Sequence, residues 1–163
     1  MRATDDLLQN NRRYTVTHVN PEMSPRPSLG VAVVVCMDVR VDVTAALGLQ
    51  PGAAHVLRNA GGIVTDDVLR SLLISQRLLG TREVMLIHHT RCGMLDFSDE
   101  ELADAVERDS GVRPPFALGA FRDLDEDVRR GIRAVTEAAF LPHRDGVRGF
   151  VYDVATARLR EVA

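Results

Sequence analysis

At 163 residues, with 45% hydrophobic and 26% charged side chains, the chain is sized for one globular domain with a sizeable core and one active site. A formal net charge of −3 gives no general attraction for nucleic acid, and all 20 basic residues are Arg, which excludes a Schiff-base lysine, a phosphate-loop lysine and a catalytic Ser–Lys pair. No segment approaches the roughly twenty apolar residues of a membrane span and the polar N-terminus lacks the apolar centre of a signal peptide, so a cytoplasmic protein with no membrane partner is expected, its two Cys kept reduced.

Residues 1–28 divide into a polar stretch with helical potential, Thr4 to Asn11, and an extended piece carrying Pro21, Pro25 and Pro27. Thr4 can cap that helix, with Asp5 and Asp6 favoured in its first turn. An arm with so little core of its own either frays or packs on a partner subunit, and the second is the preferred reading. Residues 29–163 then form the single α/β domain. Gly30 to Val35 is an apolar run suited to a parallel strand buried on both faces. Arg40 to Leu47 reads as a short helix ending at Gly48, and Ala54 to Leu57 as a second strand, followed by Arg58-Asn59-Ala60-Gly61-Gly62. The paired glycines suit a loop beside a small-molecule site, or a plain tight turn.

Thr65 caps the strongest helix, with Asp66 and Asp67 in its first turn, Val68, Leu69, Leu72, Leu73 and Leu79 as its apolar face, and Gly80 as its stop. Glu83 to His89 is the third strand, whose alternation puts His88 opposite His89; His88 reads as a hydrogen-bonded structural histidine. Ser98 to Glu107 is a short acidic helix with a solvated face, Gly111 to Gly119 a loop, and Leu124 to Ala139 a longer amphipathic helix. Gly149 to Val154 is the fourth strand, with Leu159 to Val162 available as a short antiparallel edge. The alternation predicts an α/β fold: a mainly parallel sheet of four strands, plus that edge, flanked by helices.

Cys36, in Cys36-Met37-Asp38-Val39-Arg40, and the pair in His89-Thr90-Arg91-Cys92-Gly93 both fall at strand ends, where ligands bind in such sheets. Two sulfurs and an imidazole suit tetrahedral zinc with a fourth position left for water; the alternative is that each Cys is an inert buried thiol. Asp38 and Arg40 alternate with Cys36, so continued strand geometry would project all three to one face, a cluster costly to bury without a function.

Cys-x-Asp-x-Arg, then Arg58-Asn59-Ala60-Gly61, then His-x-x-Cys-Gly resemble the signature of the β-class carbonic anhydrases, over about Leu29 to Leu159. The segments Asn59 to Asp67 and Ser75 to Glu83 resemble most the short mycobacterial-type members. The resemblance implies zinc held by Cys36, His89 and Cys92, and reversible hydration of carbon dioxide to bicarbonate and a proton. It implies that Asp38 orients the nucleophile while Arg40 restrains Asp38, which becomes a fourth metal ligand only in a closed state. Gly61 and Gly62 are candidate substrate-binding positions, and a homodimer or dimer of dimers is expected. Arg91 departs from many relatives; its guanidinium either raises the local positive potential or, the preferred reading, pairs with an exposed carboxylate. Two rivals remain: hydrolysis of a sulfur analogue, carbonyl sulfide or carbon disulfide, at the same site, and a non-catalytic zinc or redox-sensing protein using Cys36 and Cys92 as a switch.

Overall fold

Val31–Cys36 (β1) is apolar at every position, and all but Val31 are buried, because the strand is covered on both faces at the centre of the sheet. In the computed structural model, which describes residues 2–18 and 24–163, β1 pairs in parallel with Ala54–Asn59 (β2) on one side and Glu83–His89 (β3) on the other. Val147–Tyr152 (β4) lies parallel to β3, and Leu159–Val162 (β5) closes the edge antiparallel to β4, giving the order β2-β1-β3-β4-β5. The four-strand parallel sheet with an antiparallel edge is therefore present.

Five α-helices complete the described fold: Ala3–Thr17 (α1), Val43–Leu47 (α2), Asp66–Leu79 (α3), Asp99–Ser110 (α4) and Leu124–Glu137 (α5). Ala32, Val34, Val84 and Leu86 meet Val68 and Leu72 of α3 and Val135 of α5 on one sheet face. On the other, Val33, Val35 and Ile87 pack with Val41, Val43 and Tyr152, leaving Val31, Met85 and Phe150 only partly covered. The cap expected at Thr65 forms, its hydroxyl accepting from the Val68 N–H, and Gly80 ends α3 in the left-handed region.

Several boundaries differ from the sequence reading, each for a local reason. α1 is longer than Thr4 to Asn11: the Arg2 N–H donates to the Asp5 carboxylate at its start, and the His18 N–H donates to the Tyr14 carbonyl at its end. Pro21, in the expected extended piece, lies outside the described residues, while Pro27 is buried. α2 begins only at Val43, because Asp42 caps it through Ala45 and the preceding residues form a turn. β2 runs on to Asn59, which aligns with Cys36, so Arg58 belongs to the strand. β4 starts and stops two residues early: Val147 already pairs with Val84, and Asp153 turns the chain by accepting from the Ala155 and Thr156 N–H groups.

Candidate metal centre

β1 ends at Cys36, so strand alternation does not carry Asp38 and Arg40 to the site; a turn does. The Arg40 N–H donates to Asp38 Oδ1 at 2.9 Å, closing a local ring that folds the Arg40 side chain back over the carboxylate. Its guanidinium then donates Nε to Oδ1 at 2.9 Å and Nη2 to Oδ2 at 2.7 Å, the charge-assisted two-point geometry of a strong pair. This pairing holds the Asp38 carboxyl well below the usual carboxylate range, against a smaller opposing effect of burial. The expected convergence is present, but its cause is a turn.

β3 delivers His89, and the left-handed backbone of Arg91 (φ 56°) reverses the chain so that Cys92 follows into the same place. The Cys36, His89 and Cys92 ligand atoms lie within 4.8 Å of one another, and all three residues are buried. His89 Nδ1 lies 3.0 Å from the Thr90 carbonyl, which can only accept, so Nδ1 carries the proton and Nε2 presents its lone pair. That Nε2 is buried without a hydrogen-bond partner. An orphaned lone pair facing two thiols fits a soft or borderline cation such as zinc.

The electrostatics agree. A bond from Cys92 lowers the Cys36 thiol's pKa despite burial, and the same bond with burial pushes Cys92 up. Burial opposes a charge on His89, yet the contact with Cys36 and the Thr90 carbonyl hold its pKa above the ordinary value. The pocket therefore favours positive charge at its centre. Asp38 Oδ2 stands 3.7 Å from His89 Nε2, turned to Arg40 and outside the three-donor cluster.

A cavity of about 230 Å³ opens over these groups, lined by Cys36, Met37, Asp38, Ala60, Gly61, Cys92, Gly93 and Met94. Of the two glycines, Gly61 faces it. Gly62 lies against strand backbone instead, where a Cβ would sit 2.7 Å from the Cys36 nitrogen. Sequence reasoning puts Arg58 with Cys36 and His89 beyond the strand ends without assigning it a role; its guanidinium donates twice to the Cys36 carbonyl, at 3.0 and 2.7 Å, and once to the Asp38 carbonyl at 2.8 Å. Its place at the end of a strand adjacent to β1 was the available signal.

His88 is the structural residue expected: Nε2 meets Asp127 Oδ2 of α5 at 2.6 Å and its ring stacks on Phe121. Arg91 differs from expectation. Among the described residues its guanidinium forms no ion pair, and its role at the site is carried by its carbonyl, which accepts from Arg40 Nη2 at 2.9 Å.

The carbonic anhydrase family model matches residues 31–114. Beta-carbonic anhydrase 1 of Mycobacterium tuberculosis is 49% identical over 162 residues, covering 99% of each chain. A carbon disulfide hydrolase of Acidianus is 37% identical over 154 residues, covering 79% of this chain and 75% of its own. Among solved structures, a carbonic anhydrase from Streptococcus mutans superposes with a TM-score of 0.94 at 41% identity, covering 100% of this chain and 99% of that one.

Proposed function

Because the chain belongs to the carbonic anhydrase family, in its β class, we infer that it catalyses the zinc-dependent, reversible hydration of carbon dioxide to bicarbonate and a proton. The observation that carries this reading is the buried Cys36, His89 and Cys92 cluster beside an Asp38 carboxylate pinned by Arg40. Cys36, His89 and Cys92 are assigned as the metal ligands. Zinc bound by them supplies Lewis acidity, which brings the ionisation of water close to neutral pH.

The protein's own groups do the rest. Asp38 accepts a hydrogen bond from the attacking water and aims its lone pair at the substrate carbon; it stays ionised because of Arg40. Arg40 also occupies both Asp38 oxygens, and so would hold the carboxylate back from a metal bound by Cys36, His89 and Cys92. Arg58 fixes the backbone from which Cys36 and Asp38 project. Gly61, backed by Met94, gives an uncharged small molecule an apolar approach.

Hydrolysis of carbon disulfide is the competing reading, supported by the 37% identical relative, against 49% identity over the whole chain for a carbonic anhydrase. A redox switch has no use for the Asp38–Arg40 pair. Support for a homodimer, or a dimer of dimers, comes from α1: it buries no residue of its own, and Leu7, Leu8, Tyr14 and Val16 are exposed on it. One sheet face is only partly covered, which suits a partner's arm. No described helix is long and apolar enough to cross a membrane, and a cytoplasmic location is part of this reading.

Stopped-flow hydration of carbon dioxide, with metal analysis on the same sample and carbon disulfide as the second substrate, tests the function. About one zinc per chain is expected, with most of it lost in Cys36→Ser; full zinc in that variant sinks the ligand assignment. Light scattering before and after deletion of residues 1–28 tests the arm, and unchanged mass and stability would dismiss it.

A further inference from the structure

Asp99 opens α4, yet its side chain bonds far outside that helix. Oδ2 accepts from the Leu118 N–H at 3.0 Å and the Gly119 N–H at 2.9 Å, and Oδ1 from the Ala120 N–H at 2.6 Å. Three consecutive amides of a loop without regular structure thus converge on one carboxylate. Gly119 makes this possible: its φ of +79° suits glycine, and a Cβ there would meet Ile63 Cδ1 at 2.3 Å.

The next residue reaches the metal centre. Phe121 is 5% exposed and packs in one cluster with Cys36, Cys92 and Met94. Its N–H donates to the Met94 carbonyl at 3.2 Å, and its ring stacks on His88 with centroids 5.2 Å apart. A Cβ placed on Gly61, which lines the cavity, would lie 3.1 Å from Met94 Cγ and 3.2 Å from Phe121 Cε1. Phe121 is therefore the layer directly behind the cavity wall, and a backbone shift in residues 118–120 moves it.

We propose that Asp99 is a positioning residue for the reaction: by clamping the Leu118–Ala120 backbone it presses Phe121 against Met94 and Gly61, and so sets the width of the cavity over Cys36 and Cys92. Leu118, Gly119 and Ala120 have regular helix or strand neighbours on neither side, so without the clamp their amides would turn to water and Phe121 would lose its fixed seat. The charged form of Asp99 is the one engaged, since the Gly119 and Ala120 amides, then that of Leu118, hold its carboxyl below the usual range. A clamp of this kind governs how closely a small linear substrate is held beside the nucleophile, and therefore rests on the hydration reading above.

The test uses the full-length zinc-loaded protein, comparing wild type, Asp99→Ala, Asp99→Asn, Phe121→Leu and the Asp99→Ala/Phe121→Leu double variant. Amide exchange at residues 118–121, zinc content, kcat and KM are measured. Asp99→Ala should keep its zinc, exchange the Leu118, Gly119, Ala120 and Phe121 amides at least about tenfold faster, and lose about tenfold in kcat/KM. Asp99→Asn keeps an acceptor in place and should recover part of that loss; it carries the same comparison if Asp99→Ala does not fold. In the Phe121→Leu background, Asp99→Ala should cost less than about twofold, because Asp99 acts through Phe121. Unchanged kcat/KM, additive losses, or unchanged exchange at Phe121 would each overturn the proposal. An inactive wild type instead removes the hydration reading, and exchange at Phe121 then decides whether Asp99 seats that residue.

Discussion

Arg40 holds both oxygens of Asp38, at 2.9 and 2.7 Å, and with the same Nη2 reaches the Arg91 carbonyl 51 positions away in the chain. The carboxylate beside the candidate metal centre is thereby tied to the turn that joins two of the three candidate ligands, His89 at the end of β3 and Cys92. Arg40→Ala should retain zinc and lose at least about a hundredfold in hydration rate, with Asp38 moving onto the metal. Stopped-flow rates and a crystal structure of the variant check this, and near-normal activity would remove the gate from the mechanism.

The same pair makes a statement about pH. Because Arg40 depresses the Asp38 pKa, Asp38 is ionised throughout the neutral range and does not titrate there. Activity should rise with pH from neutral to mildly alkaline through ionisation of the catalytic water, near pH 7 in the best-known zinc enzyme. Asp38→Asn should lower the plateau while leaving the midpoint within about half a unit. An unchanged plateau in a rate profile would leave Asp38 without a part in orienting the water.

Gly62 has a positive φ of +70°, and a Cβ there would stand 2.7 Å from the Cys36 nitrogen, 2.9 Å from the Val35 carbonyl carbon and 3.0 Å from the Ile87 oxygen. All three are backbone atoms of central strands and cannot yield as a flexible side chain can. Gly62→Ala should cost about 2–4 kcal/mol in denaturant unfolding and reduce zinc occupancy. A loss under about 1 kcal/mol would mean that the Ala60–Gly62 turn shifts instead.

Arg91 stands in the left-handed region, at φ 56°, to aim its carbonyl at Arg40. Glycine tolerates that backbone and a β-branched residue does not. Arg91→Gly should therefore leave kcat/KM within about twofold, whereas Arg91→Val should destabilise by about 1–2 kcal/mol and slow the reaction. Equal loss of rate in both variants would assign the role to the guanidinium.

Asp99 adds a stability term whose sign follows from its lowered pKa. A carboxyl depressed in the folded state contributes stability that is fully present above its unfolded value, near 3.9, and is lost as pH falls through the folded value. The Tm difference between wild type and Asp99→Asn should be largest at neutral pH and shrink as the medium is acidified below about pH 4. A difference independent of pH would mean that the charge on Asp99 contributes nothing to the clamp.

Residues acting over short distances were legible in the chain itself. The apolar run of β1, the alternation that separates His88 from His89, and the Thr65 and Ser98 caps depend on neighbours a few positions apart. The Cys-x-Asp-x-Arg and His-x-x-Cys-Gly segments carried the metal chemistry because donor type and spacing are written directly in sequence. What only the tertiary structure decided were contacts between groups far apart: Arg58 on the Cys36 carbonyl, Arg40 on that of Arg91, His88 on Asp127, and Asp99 on Leu118 to Ala120. The turn that replaced strand alternation at Asp38 belongs with them, since it is braced by Arg58 from the neighbouring strand. A polar side chain has many acceptable partners until parallel pairing fixes the register of β2, β1 and β3; only then does one carbonyl fall within its reach, and local propensity contains no information about which.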